Sequence, residues 1–145
     1  MKRISLFLIS FVFFFNVISA QEIGLRFGEM TGNNVAIEGA IGWKESRLHS
    51  NISFGDTVGI DFVYDFVFLP INKMDNFYYY LGIGLTTVFG DNFKFGGLGE
   101  VGIEYRFVNS PIALGLDYKP AVLVLPKTDF TWSNIGFNIR YVFSE

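Results

Sequence analysis

No cysteine occurs anywhere in the 145 residues. Disulfide stapling, thiolate metal centres and lipid attachment at a cysteine are thereby excluded. Histidine is almost as scarce, with one residue, His49. An imidazole pair for a metal cannot be assembled, and any histidine-based catalytic pair must use His49 itself. Charge of one sign is never concentrated into a run or patch, which argues against a nucleic-acid partner. Long hydrophobic runs are missing after residue 20, so no helix of the ~20 apolar residues that span a bilayer is expected there.

What is present begins with a short apolar run, Ile4 to Phe15, behind Lys2 and Arg3 and ahead of Asn16-Val17-Ile18-Ser19-Ala20. A basic start, a short apolar core and a small residue before the break are the parts of a secretory signal peptide. Residues 1–20 are read as that peptide, cleaved after Ala20, and residues 21–145 as one domain. The chain carries a formal charge of −3, and losing Lys2 and Arg3 leaves −5 on the mature part.

Half of the residues are hydrophobic and 19% are aromatic. After residue 20 they are spread in alternation rather than in blocks, which is a strand signal. Eight strands are expected, at 22–28, 34–43, 46–54, 57–69, 76–89, 94–107, 111–124 and 131–143. Glycine, asparagine, aspartate and proline fill the breaks, as turn chemistry requires. Successive side chains of a strand point to opposite faces. Strand 57–69 therefore sets Val58, Ile60, Phe62, Tyr64, Phe66 and Phe68 against Asp61 and Asp65. Strand 94–107 sets Val101, Ile103, Tyr105 and Phe107 against Lys94, Leu98, Glu100, Glu104 and Arg106. Strand 111–124 sets Ile112, Leu114, Leu116, Tyr118 and Val122 against Asp117 and Lys119. Strand 131–143 sets Ile135, Phe137, Ile139, Tyr141 and Phe143 against Trp132, Asn134, Asn138 and Arg140. Glu22, Arg26, Glu38 and Arg47 join the same polar face on the earlier strands.

Which face turns inward decides the class. A soluble barrel hides its apolar face, and a transmembrane barrel presents it to lipid. Eight strands enclose a lumen that modest side chains already fill, too narrow for some dozen Phe and Tyr rings. The polar face is therefore placed inside. The expected fold is an all-β, eight-stranded antiparallel up-and-down transmembrane β-barrel. Most strands have 10 to 14 residues, enough for the ~9–11 that a tilted crossing needs. Aromatics gather near strand ends, as interfacial girdles do. An even strand number puts both termini on one side, the periplasm of a bacterial outer membrane. Residues 30–33, 55–56, 90–93 and 125–130 then form short extracellular loops.

The inward charges make a near-balanced set. Arg26, Glu38, Asp61, Asp65, Glu100, Glu104, Asp117, Lys119 and Arg140 are expected to form a polar network plugging the lumen, since an unpaired buried charge is costly. Arg26 and Glu38 lie at similar depth, Glu100 and Glu104 neighbour Asp117 and Lys119, and Arg140 faces the region of Arg26 and Asp117. Tyr78, Tyr80 and Leu98 point inward with them. His49 is expected inside, towards the periplasmic end and close to Asp65. No nucleophile, base and orienting group are assembled, so no catalytic, cofactor-binding or metal residues are assigned, and no cofactor is expected.

Two stretches carry resemblances. The run Gly136-Phe137-Asn138-Ile139-Arg140-Tyr141-Val142-Phe143 resembles the terminal strand of outer-membrane proteins. The resemblance implies that Phe137, Ile139, Tyr141 and Phe143 are read by the barrel-assembly machinery, although Ser144 and Glu145 follow the last Phe. Glu22 to Gly28, Ser46 to Asp61, Gly102 to Phe107 and Leu116 to Pro120 together resemble the small, mostly uncharacterised outer-membrane barrels of Bacteroidota. In size and strand count the chain is also similar to the OmpX and OmpA-anchor class. These likenesses imply fold and location and carry no activity. His49-Ser50 is similar to the histidine strand of the outer-membrane lipid A deacylases. That pattern wants serine two residues after the histidine, where Asn51 stands, so the nucleophile is absent.

The functional expectation is a non-enzymatic outer-membrane barrel with a filled polar lumen and short loops. Its role would be envelope integrity or contact with another envelope component. Outer-membrane lipid and lipopolysaccharide would surround it, and it would be a monomer. A narrow transport pore is the alternative; a lipid-modifying enzyme and a soluble lipocalin-like binder stand behind it.

Overall fold

A computed structural model describes residues 20–143. The expected signal peptide, apart from Ala20, lies outside the described residues. Ten strands follow one another: β1 (Ala20–Met30), β2 (Asn33–Trp43), β3 (Ser46–Gly55), β4 (Val58–Pro70), β5 (Phe77–Phe89), β6 (Lys94–Arg106), β7 (Ile112–Tyr118), β8 (Ala121–Leu125), β9 (Asp129–Thr131) and β10 (Ile135–Val142). All pairings are antiparallel, and β1 to β6 pair each with the next. From β6 the order runs to β7, then β10, which pairs back onto β1 through Ile23↔Tyr141 and Phe27↔Phe137. An eight-stranded antiparallel barrel is thereby closed, and β8 and β9 stand outside the ring.

Those two short strands are where the expected outline breaks. Positions 111–124, read as one strand, divide at Lys119-Pro120 into β7 and β8, and both halves pair with β6. Proline supplies no backbone N–H and cannot continue the ladder. The inside–outside alternation survives the break, with Ala113, Asp117, Lys119, Ala121 and Leu123 all buried. The strand expected over 131–143 begins at Ile135. Its first residue, Thr131, belongs to β9 and pairs with Ala121 of β8, and residues 132–134 lie in no strand. Trp132, placed on the inner face by alternation, is 65% exposed and stacks on Phe130 at 5.5 Å.

A second correction concerns Phe68. The register between β4 and β5 shifts between Asp65 and Val67. Phe66 is the extra residue, and a one-residue slip turns every following side chain to the other face. Phe68, expected outside, pairs with inward Tyr80 and stacks on Tyr78 at 5.3 Å. Its amide donates to the Glu45 carbonyl at 2.8 Å, tying the bulged end of β4 to the β2–β3 turn.

Elsewhere the faces follow the alternation. Ile23, Leu25, Phe27, Phe62, Tyr64, Ile83, Leu85, Val101, Ile103, Leu116, Ile135 and Ile139 are exposed on the outside. The inside holds arginines, carboxylates, His49, Asn51 and Asn138. Glycines make room for them. A Cβ on Gly102 would strike the Tyr80 ring, and one on Gly136 would strike the Arg26 guanidinium. In so narrow a barrel, large inward side chains require glycine on the facing strand. Val63, Leu98 and Ala121 form a small apolar cluster inside.

Candidate functional site

The chemistry-bearing side chains are in the lumen, one strand step apart, because period-2 alternation aims every second residue of each strand at the axis. The network has two parts. In the first, Arg26 of β1 holds Asp117 of β7 through Nε at 3.0 Å and Nη2 at 2.6 Å, and Asn138 donates to the same carboxylate at 2.9 Å. A bidentate guanidinium–carboxylate pair fixes orientation as well as charge. Arg26 also donates to the Glu29 carbonyl at 3.1 Å. Glu38, expected beside Arg26, instead accepts from Arg140 at 2.8 Å. The ladder explains the difference: Glu38 pairs with Gly24, and Gly24 pairs in turn with Arg140.

The second part lies nearer the end that carries the termini. Arg47 donates to Asp65 at 3.0 Å and to Glu104 at 3.1 Å, and reaches Glu22 at 3.4 Å. Its guanidinium carbon lies 4.7 Å from the centroids of both Phe68 and Tyr80. The bulge that turns Phe68 inward thus supplies one aromatic face, and cation–π attraction is strong where water is excluded. Arg106 donates to Glu104 at 2.8 Å and pairs with Glu22. Arg140 bridges the two parts by also pairing with Glu104.

His49 is buried inside the barrel, paired with Val63 in the ladder and near Asp65 as expected. Its Nε2 contacts Glu100 and lies 3.5 Å from Asp65 Oδ1. Lys119 Nζ approaches the other Glu100 oxygen at 3.3 Å. With its oxygen turned toward Lys119, the Asn51 amide accepts from Nζ at 2.7 Å. The sequence reading anticipated Asp65 as a neighbour of His49 and missed Glu100. The two are 51 positions apart, and only the depth of β6 relative to β3 joins them.

Eight residues of the expected network are buried and charge-paired: Arg26, Glu38, Asp65, Glu100, Glu104, Asp117, Lys119 and Arg140. Asp61 is not among them. It is half-buried opposite Asn51 and Thr86, and no ion pair joins it to the rest among the described residues. Glu22, Arg47 and Arg106 complete the network, together with the Phe68–Tyr80 cradle. Their inward positions were legible, but their partners were not. No protein-family model, curated protein or solved structure matches this chain.

The carboxylates other than Asp61 are engaged by guanidinium, ammonium or imidazole groups, and Ser50, beside His49, lies on the outer face of β3 opposite Phe62. A nucleophile and its base must lie within hydrogen-bond reach of each other. The lumen holds no such hydroxyl at His49 among the described contacts.

Proposed function

We propose that this chain is an integral β-barrel of a bacterial outer membrane, non-enzymatic, with a plugged polar lumen. Its role is envelope integrity or contact with another envelope component. The observation that carries the reading is the inversion of the barrel. Large apolar side chains cover its outside, and fully buried arginines and carboxylates fill its inside. An apolar surface on this scale is untenable in water and is what a lipid-embedded barrel needs. Strands β2 to β6 have 10 to 13 residues, matching the ~9–11 of a tilted crossing.

Other features support the same reading. The outward Phe137, Ile139, Tyr141 and Phe143 of the last strand lie in one exposed row, available to an assembly machinery that reads terminal strands. Rings pair at both ends of the wall, Tyr105 with Phe107 and Tyr141 with Phe143 at one, Phe89 with Phe93 and Phe130 with Trp132 at the other. Aromatic girdles occupy these depths in outer-membrane barrels. The N-terminal segment is proposed as the export signal that delivers the chain there. Lipid and lipopolysaccharide would be its surroundings, and a monomer its working state.

Membrane fractionation tests the reading. The protein should remain in the outer-membrane pellet after alkaline carbonate and urea extraction. A mature protein free in the periplasm would overturn it. Against the pore alternative stand the ion-paired lumen and the apolar Val63–Leu98–Ala121 layer. Purified protein in planar bilayers should give no stable porin-sized steps. For the role, a deletion strain should show altered envelope permeability with unchanged lipid A masses; a changed lipid A mass would favour an enzyme.

A further inference from the structure

We propose that His49, Asp65 and Glu100 form a buried site for one divalent transition-metal ion of the zinc class, joining β3, β4 and β6 across the lumen. One ligand atom from each of the three lies within 4.8 Å of the other two. All three side chains are fully buried.

The first reason is a proton count. His49 Nε2 faces two carboxylate oxygens, one from Glu100 and one from Asp65. A ring nitrogen carries a single hydrogen, and Glu100 takes it. Asp65 Oδ1 is left buried, aimed at the same point, with no hydrogen-bond partner. The other Asp65 oxygen is held by Arg47, so the carboxylate cannot turn away to find one. A buried acceptor left unpaired calls for an explanation, and a bound ion is one. A cation can serve both oxygens and the nitrogen at once, where a hydrogen cannot.

The second reason is convergence: three ligating side chains from β3, β4 and β6 meet at one point that is fully shielded from solvent.

The chemistry selects the ion. One imidazole nitrogen and two carboxylate oxygens, without sulfur, suit zinc and its neighbours and not soft copper(I). Three protein ligands fall short of the six to eight oxygens that calcium takes. A tetrahedral ion with bonds of ~2.0 Å separates its ligands by roughly 3.3 Å; His49 Nε2 and Asp65 Oδ1 stand 3.5 Å apart, and Glu100, in direct contact with Nε2, has to draw back to admit the ion. Gly82 leaves Asp65 Oδ1 uncrowded, since a Cβ there would collide with it. The inference depends on the lumen alone and stands or falls separately from the membrane location.

The test uses untagged protein refolded into detergent micelles with Zn²⁺, freed of loose ion by gel filtration and assayed for metal by atomic emission. The folded barrel should retain about one equivalent. Co²⁺ in place of Zn²⁺ should give visible absorption bands of a low-coordinate nitrogen–oxygen site. His49→Gln and Glu100→Gln should each weaken retention at least tenfold, and Glu38→Gln, in the same network but outside the triad, should retain the ion. Zinc should also raise the wild-type thermal midpoint and leave that of His49→Gln unmoved. Folded wild-type protein that keeps less than a tenth of an equivalent would overturn the proposal, whether or not any variant folds. So would a His49→Gln barrel that binds as well as wild type.

Discussion

Arg26 and Asp117 stand 91 positions apart in the chain and meet inside the barrel at 2.6 Å, both wholly shielded from solvent. They reach each other because β10 lies between β1 and β7, and Gly136 on that strand leaves room for the guanidinium. Such a pair contributes little net stability over a well-packed apolar replacement, yet leaving one member alone is expensive.

Asp117→Ala should therefore destabilise the folded barrel by ~3–5 kcal/mol, because it strands a buried guanidinium. Arg26→Met in the same chain should restore much of that loss. Urea unfolding from lipid vesicles measures both, and a double variant no better than Asp117→Ala would show that the pair is not coupled.

Phe62 separates a membrane barrel from a soluble one. It lies mid-strand on β4 and is 57% exposed. In a bilayer, Phe62→Lys should cost ~2–4 kcal/mol of folding free energy. At an exposed position of a soluble barrel the same change would stay within ~0.5 kcal/mol. Folding titrations into vesicles decide between them.

The Gly102 and Tyr80 relationship can be tested by steric compensation. Gly102→Val should cost at least ~1–3 kcal/mol, since overpacking a filled interior forces its neighbours out of place. Tyr80→Ala, which removes the ring that the new side chain meets, should recover part of it. An additive double variant would mean the lumen relaxes freely at this level.

Trp132 should report lipid. In a chain carrying Trp43→Phe, its fluorescence should be quenched by brominated acyl chains placed near the interface. Lumen-facing indole, as strict alternation would have it, should be insensitive to them.

Much of this architecture is legible in the sequence. A strand's side chains alternate whatever the strand's partners are, so the outward row of Phe137, Ile139, Tyr141 and Phe143 and the inward Arg26, Glu38, Asp117 and Arg140 could be read locally. Glycine, asparagine and proline marked the turns for equally local reasons. The narrowness of an eight-stranded lumen then put the charges inside. Two errors came from local events with non-local causes. Phe68 changed faces because a bulge at Phe66 slipped the register against β5. Trp132 is exposed where the expected strand is interrupted, between Thr131 paired with β8 and Ile135 paired with β7. Val63, which alternation places on the inner face between Asp61 and Asp65, packs with Leu98 of β6 and Ala121 of β8, neighbours that only the closed barrel supplies.

Sequence alone determined that most of residues 22–143 alternates between one charged and one apolar face, because that property belongs to each segment separately. The choice of partner for each charge was decided only in the closed barrel. Glu38 takes Arg140 rather than Arg26, and His49 meets Glu100 as well as Asp65. The stagger between strands and the order β6-β7-β10-β1 set the depth and azimuth of every inward side chain. Charge attraction at 3 Å depends on those coordinates, and no segment of the chain contains them by itself.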